Sequence, residues 1–241
     1  MLLLISSLLL MSCGADKYMK KGEKFLALGE YYDAADQFKQ AYTRTPAKER
    51  DTRGKRALKM AQCYQRINAT PKAIAAYRNA IRYNQASKED QLAYARQLLK
   101  NGDYRQAEKV FLMLKDSMPG NQLVANGLKS AQMAPEWKKQ GSRYIVKRMD
   151  VFNSRRHDYS PVLFGDDYDQ LYFTSTRNEA LGDELSGITG TKAGDIFLSE
   201  KDDRGKWSKP EAIGTGLNTD YDEGACCFTP DGREMYLTQC V

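Results

Sequence analysis

Residues 29–46 read GEYYDAADQFKQAYTRTP, and the same arrangement of residue types returns further along the chain. Gly29, Tyr31, Ala34 and Phe38 form the set, closed by Ala41 and Pro46. Gly102, Tyr104, Ala107 and Phe111 repeat it, followed by Pro119, while Ala73, Tyr77 and Ala80 carry a weaker copy between the two. An alanine and an aromatic four residues apart share one face of a helix. The alanine lets a second helix approach closely, and the aromatic fills the space beside the crossing. The glycine ahead of each set supplies the left-handed residue that ends the preceding helix. This spacing predicts helix pairs stacked into an α-solenoid, with Ala73 and Ala107 34 residues apart and Ala34 and Ala73 39 apart. The five extra residues are assigned to the connection at residues 50–55. Residues 122–133 read as one more helix, with Leu123 and Leu128 placed to cover the last repeat as a cap.

The period and the residue set resemble the tetratricopeptide repeat (TPR), over residues 15–119. The resemblance implies a concave face that holds a peptide or another protein. Residues 14–150 carry 28 Lys and Arg against 14 Asp and Glu, whereas residues 151–241 carry 9 against 17, so two different surfaces are joined. Arg50, Arg53, Lys55, Arg56 and Lys59 concentrate the positive charge, which either favours an acidic partner or forms a solvated face. Nucleic acid is not expected, because the aromatics occupy packing positions and are not displayed for base stacking.

A second repeat lies beyond a change from helical to alternating spacing at residues 133–158. SPVLFGDDYDQLYFTS at 160–175 returns 64 positions later as GACCFTPDGREMYLTQ, aligning Phe164 with Phe228, Asp167 with Asp231, Tyr172 with Tyr236 and Thr174 with Thr238. Strands are predicted at residues 171–174, 195–199, 226–228 and 235–238, and Pro230-Asp231-Gly232-Arg233 as a hairpin turn with Gly232 at positive φ. Tyr159-Ser160-Pro161, Arg177, Gly194-Asp195-Ile196-Phe197, Trp207-Ser208-Lys209-Pro210 and above all Thr229-Pro230-Asp231-Gly232 resemble the WD-like repeats of TolB-like and Bacteroidetes envelope proteins. The resemblance implies blades of a β-propeller, with residues 178–192 as an extended loop. Only the first one to two blades fit before the sequence stops, and such a piece leaves an open sheet edge, so the chain is expected to be the front part of a longer protein or the product of a truncated reading frame.

At the start, MLLLISSLLLMSC has an apolar run too short for a membrane span, as in a signal peptide. Leu10-Met11-Ser12-Cys13 resembles a bacterial lipobox, which implies lipidation of Cys13 and anchoring to the outer membrane on its periplasmic face. The order of lipobox, TPR repeats and WD-like units resembles the OmpA-family lipoproteins of Bacteroidetes, the PorE-like group of the type IX secretion system. That resemblance implies other envelope proteins as partners of the TPR face, the membrane as partner of Cys13, and peptidoglycan only where a C-terminal OmpA-like domain is present. The expected organisation is a signal peptide over 1–12, TPR repeats with a capping helix over 13–134, a linker and first strand over 135–157, and an incomplete propeller over 158–241.

Residues for catalysis are not found. His157, the only histidine, stands beside Asp158 and near Ser160, but a strand sends alternate side chains to opposite faces and does not assemble a triad from them. Asp166, Asp167, Asp169, Asp220, Asp222 and Glu223 could offer oxygen ligands to calcium, yet turn acids more often bond their own backbone, so no metal and no cofactor is assigned. Cys226 and Cys227 point to opposite faces of a strand and do not make a zinc site. The pairing expected for the hairpin puts Cys226 opposite Leu237 and away from Cys240, which favours buried free thiols, and Cys63 reads as core. The function expected is a non-enzymatic scaffold. The alternatives are the front part of a propeller-containing hydrolase and a SusD-type glycan-binding lipoprotein.

Overall fold

In the computed structural model the described residues are 2–214 and 216–240, and the side chains of residues 2–13 lie outside them. The lipidation assigned to Cys13 therefore falls outside the described side chains. The chain divides into two compact units, the first running to Arg143 and including Gly187–Thr189, the second formed by Tyr144–Ser186 and the residues from Gly190 onward.

The first unit is built from α1 (Leu2–Leu28), α2 (Tyr31–Arg44), α3 (Arg50–Arg66), α4 (Thr70–Arg82), α5 (Lys88–Lys100), α6 (Tyr104–Ser117) and α7 (Gln122–Gln140). Each helix packs on the next in sequence, and α7 also reaches α5. Ala34, Ala73 and Ala107 are fully buried, as are Phe38, Tyr77 and Phe111 one turn further on. All six belong to one core, and each buried aromatic contributes about 1.5–3 kcal/mol. Close approach is enforced on the opposite side: a Cβ on Gly22 would stand 2.7 Å from the Phe38 ring, and one on Gly127 would stand 2.3 Å from that of Phe111. Gly29 and Gly102 adopt φ of 79° and 82° at the turns between paired helices. Asn68 takes the equivalent place in the second repeat at φ 58°, since asparagine tolerates the left-handed region better than other side-chain-bearing residues. Tyr31 and Tyr104 open α2 and α6.

Three expectations about this unit are corrected. The extra residues of the second repeat do not form a connection: residues 50–55 lie inside α3, whose 17 residues exceed the 13 of α5 by a turn. Leu123 is 51% exposed, and the capping face is made by Val124, Gly127 and Ala131 with Leu128 packed beside them. Asn121 fixes this phase by accepting from the amides of Leu123 and Val124, which starts the helix one residue before Leu123 and turns that side chain outward. Finally, α7 passes through Pro135 and ends only at Gly141 with φ 69°, so residues 135–140 are helix rather than linker.

The second unit contains β1 (Asp158–Phe164), β2 (Gln170–Ser175), β3 (Asp195–Glu200), β4 (Glu211–Ala212), β5 (Glu223–Phe228) and β6 (Met235–Gln239). The first four form one antiparallel sheet in sequence order, and β5 and β6 form a separate hairpin. Leu171, Phe173, Ala180 and Phe197 make its core, with Phe152 and Trp207 against them. Strand β5 packs over β1, β2 and β3. There the Phe164 and Phe228 rings lie 4.2 Å apart and Tyr172 lies 4.9 Å from Phe228.

The 64-residue recurrence is visible in the backbone. A bulge falls between Tyr159 and Val162 in β1 and again between Glu223 and Cys226 in β5. Gly232 turns at φ 68° and its counterpart Tyr168 at 50°. A Cβ on Gly232 would come within 3.0 Å of Phe164, so the glycine also permits close packing of the two hairpins. After this turn the equivalence slips. Val162 pairs with Tyr172, but Cys226 pairs with Leu237, so the partner of β5 is displaced by one residue. A one-residue shift exchanges the faces of a strand. Tyr236 is accordingly 59% exposed, and Leu237 stands where Tyr172 stands in the first hairpin. Arg233 and Glu234 precede β6 where Asp169 alone precedes β2 at the matching point, which accounts for the slip.

Candidate functional site

Helices α1, α3 and α5 bring Leu26, Gln62, Gln65, Arg66, Asp90 and Ala93 to one cleft, closed by Tyr31 and Tyr77, with a volume of about 410 Å³. Gln62 donates from Nε2 to Asp90 Oδ1 at 3.1 Å, which leaves its carboxamide oxygen to accept. Tyr77 donates to Gln65 Oε1 at 2.6 Å, which leaves the Gln65 amide nitrogen to donate. Burial pushes the Tyr77 hydroxyl above the ordinary tyrosine range, with Asp90 and Cys63 adding to the effect, so it remains a proton donor to Gln65. The Arg66 guanidinium stands 5.7 Å from the Tyr31 ring centre at the side of the cleft. One acceptor, one donor, the Arg66 cation, the Asp90 carboxylate and the apolar side chains of Leu26 and Ala93 are thus displayed together. A peptide backbone offers the matching donor and acceptor.

Most of the basic cluster serves the fold. Arg56 is buried, donates to the Ala41 carbonyl at 3.2 Å, and is paired with Thr45 Oγ1 and the Asp16 carboxylate. Arg53 donates to the Thr45 carbonyl at 2.6 Å and stands 4.3 Å from the Tyr42 ring centre. Arg50 lies 5.6 Å from that of Tyr83. These three arginines bind α3 to its neighbours, whereas Lys55 is exposed. The reading of the cluster as a solvated face is corrected for Arg53 and Arg56, whose aromatic and carbonyl partners lie too far along the chain to be seen as a pattern.

In the second unit His157 is exposed and Asp158 is committed elsewhere. The Asp158 carboxylate accepts from Arg177 at 2.9 Å, Ser175 Oγ at 2.6 Å and the Ser154 amide at 2.6 Å. Asp195 is fully buried at the head of β3, accepting from the Leu181 amide at 2.8 Å. Burial, above all, lifts its carboxyl above the usual range. Asp231 bonds its own turn through Thr229 Oγ1 at 2.6 Å and the Arg233 amide at 3.2 Å. Asp222 accepts from the Gly194 amide at 2.7 Å, and Glu223 from Thr219 at 2.9 Å through its amide and 2.7 Å through its hydroxyl. Among the described residues no three His, Cys, Asp or Glu side chains gather as metal ligands do. Cys63 is buried and its thiol is pushed up to about 11 by desolvation. Cys226 is a buried free thiol opposite Leu237, but Cys227 and Cys240 are exposed, correcting the expectation for those two. Cys227 lies on the solvent face of β5, and Cys240 follows the end of β6.

The helical unit has the architecture of a tetratricopeptide-type solenoid, and the second unit adds antiparallel strands. Solved structures similar to the chain are TPR domains. The first TPR domain of Spaghetti, bound to an HSP90 peptide, is 18% identical, with 52% of this chain and 95% of that one covered and a TM-score of 0.43. The C-terminal TPR-containing domain of a Plasmodium falciparum FK506-binding protein is 15% identical, with 54% and 94% covered and a TM-score of 0.46. The Sgt2 TPR domain of Aspergillus fumigatus is 18% identical, with 58% and 91% covered and a TM-score of 0.41. No protein-family model and no curated protein sequence matches the chain.

Proposed function

We propose that the chain is a non-enzymatic protein-interaction scaffold whose helical unit holds an extended peptide in the cleft between α1, α3 and α5. The observation that carries this reading is the complementary pair of carboxamides, Gln62 held by Asp90 and Gln65 held by Tyr77. Each is oriented by a bond within the unit, so one acceptor and one donor are fixed before a ligand arrives, and little further ordering is needed on binding. Arg66 adds a cation that suits an acidic side chain or a terminal carboxylate.

The test is selection from a library of displayed peptides on the full chain, followed by affinities for Gln62→Ala and Arg66→Ala. Selected peptides are expected to bind about tenfold more weakly to each variant, one lost hydrogen-bonded contact being worth roughly 1.4 kcal/mol. Peptides whose affinity is unchanged by both substitutions would place binding elsewhere and sink the reading.

The wider setting belongs to the same proposal. The β unit is taken as blades of a WD-like propeller, supported by the consecutive antiparallel order of its sheet and by a second hairpin with the same bulge. The protein is placed on the periplasmic face of the outer membrane through lipidated Cys13, as part of an envelope or type IX secretion assembly, with peptidoglycan binding reserved for an OmpA-like domain. The lipobox-like Leu10-Met11-Ser12-Cys13 supports the anchor. Among the described residues no helix is long and apolar enough to cross a membrane. Cys13→Ser is expected to move most of the protein from the membrane fraction to the soluble one; retention in the membrane fraction would remove the anchor.

A further inference from the structure

We propose that Arg50, Arg53 and Arg82, gathered around Tyr83 where α3 begins and α4 ends, form a binding site for a phosphate-type oxyanion. The inference is independent of the cleft, which takes Gln62, Gln65 and Arg66 from the other end of α3. Two guanidinium groups stand over one ring: Arg50 lies 5.6 Å and Arg82 5.4 Å from the Tyr83 ring centre. Arg53 joins them from the Tyr42 side, 4.3 Å from that ring centre, with its guanidinium fixed by donation to the Thr45 carbonyl at 2.6 Å. Arg82 and, less strongly, Arg53 draw the Tyr83 hydroxyl below the ordinary tyrosine range, which places both beside it. Backbone packing sets this neighbourhood: a Cβ on Gly54 would overlap Gln85 and stand 2.8 Å from Tyr83 Cβ, so the start of α3 is pressed on the turn that follows α4.

The cluster lacks a counter-charge. Among the described residues none of these three arginines is in an ion pair with a carboxylate, and the acids nearest in sequence, Glu49 and Asp51, are not paired with them. Arg53 Nε is closed off from water without an acceptor. Like charges held this closely repel one another, and the faces of two tyrosine rings offset that only in part. Arg50 and Arg82 are exposed, so an ion can reach them. A carboxylate offers two oxygens and one charge. A phosphate monoester offers three oxygens and about 1.5–2 charges, which suits a set of guanidinium forks that each give parallel N–H bonds. Stacking on Tyr83 orders two of these forks before the ion arrives, so little further ordering is needed on binding. The group recognised is the phosphate itself, as the free ion or on a small organic molecule.

Inorganic phosphate is titrated into the full chain by calorimetry at constant ionic strength, with glycerol phosphate as the second ligand. Saturable binding with a Kd of about 1 mM or tighter is expected for at least one of them. Equal affinities would make the free ion sufficient, and tighter binding of glycerol phosphate would mean that the group is read on a larger molecule; both bear the site out. Arg50→Gln and Arg82→Gln, with helical circular dichroism unchanged, are each expected to weaken binding about tenfold, and Tyr83→Phe, which keeps the ring, to change it by less than about threefold. In the unsubstituted chain phosphate should also slow the modification of Arg50 and Arg82 by phenylglyoxal and leave the exposed Arg105 unaffected. No saturable binding at about 10 mM, affinity unchanged in both arginine variants, equal slowing at Arg105, or tighter binding of a hexa-aspartate peptide than of either phosphate would each overturn the proposal.

Discussion

Arg177→Ala is expected to lower the stability of the β unit by about 3–5 kcal/mol, since removing one member of a buried ion pair strands the other. Arg177 and Asp158 are 8% and 9% exposed at their side chains. The guanidinium also donates to the Phe152 carbonyl at 2.6 Å and stands 5.0 and 4.7 Å from the ring centres of Phe173 and Phe197, so one substitution removes the pair and opens the core. Trp207 fluorescence reads the transition, in a Trp137→Phe background that silences the helical unit. Burial alone would raise the Asp158 carboxyl, but bonds from Ser175, the Ser154 amide and Arg177 bring it below the ordinary value. The folded state therefore binds this proton less readily than the unfolded one. Its stabilising contribution is present above the unfolded carboxylate range and is lost as pH falls through the lower folded value. The gap between wild type and variant should accordingly narrow below about pH 4. A second change, Asp158→Asn, should restore part of the loss. A deficit under about 1 kcal/mol, the level of an exposed pair, would contradict this account.

Gly127→Val is expected to cost the helical unit about 2–3 kcal/mol. A Cβ at this position meets Phe111 ring atoms at 2.3, 2.4 and 2.9 Å, and Phe111 is fully buried in the last repeat, so the ring has no open space to enter. The gain from replacing a helical glycine, less than about 1 kcal/mol, does not offset the overlap. Leu123→Ala on the same helix is the control, expected to change stability by less than about 0.5 kcal/mol because Leu123 faces solvent. Circular dichroism melts of the two variants decide the matter. Equal melting temperatures would mean that α7 does not close the solenoid through Gly127.

Much of the helical unit was legible because its determinants are local. Gly29, Ala34 and Phe38 announce a turn, a crossing and a filled gap within ten residues, and Gly102, Ala107 and Phe111 do so again. The second repeat was harder to read because its turn residue is Asn68, which takes the left-handed conformation less often than glycine and so carries a weaker signal. The partners of Gly22 and Gly127 lie 16 residues away along the chain, in other helices, and glycines inside a helix pattern do not reveal them. The cleft was hidden for a related reason: Gln62, Gln65 and Asp90 are ordinary surface residues until α3 and α5 bring them together. In the β unit the recurrence of Phe164 as Phe228 was visible, and so was the pairing of Cys226 with Leu237, but the outward turn of Tyr236 that follows from it was not. An ungapped alignment equates Tyr172 with Tyr236, whereas the turn inserts one residue before β6 and turns Tyr236 outward. Asp158 and Arg177 stand 19 residues apart with no pattern between them, and only the hairpin joins them.

The most direct test is an amide-exchange footprint of the full chain with and without a selected peptide. Slowed exchange confined to the stretches carrying Leu26, Gln62, Gln65, Arg66, Asp90 and Ala93 is the expected result, and it would identify the cleft as the place where this protein holds its partner. Protection confined to the β unit, with those helices unchanged, would contradict the claim that the solenoid is the interaction surface.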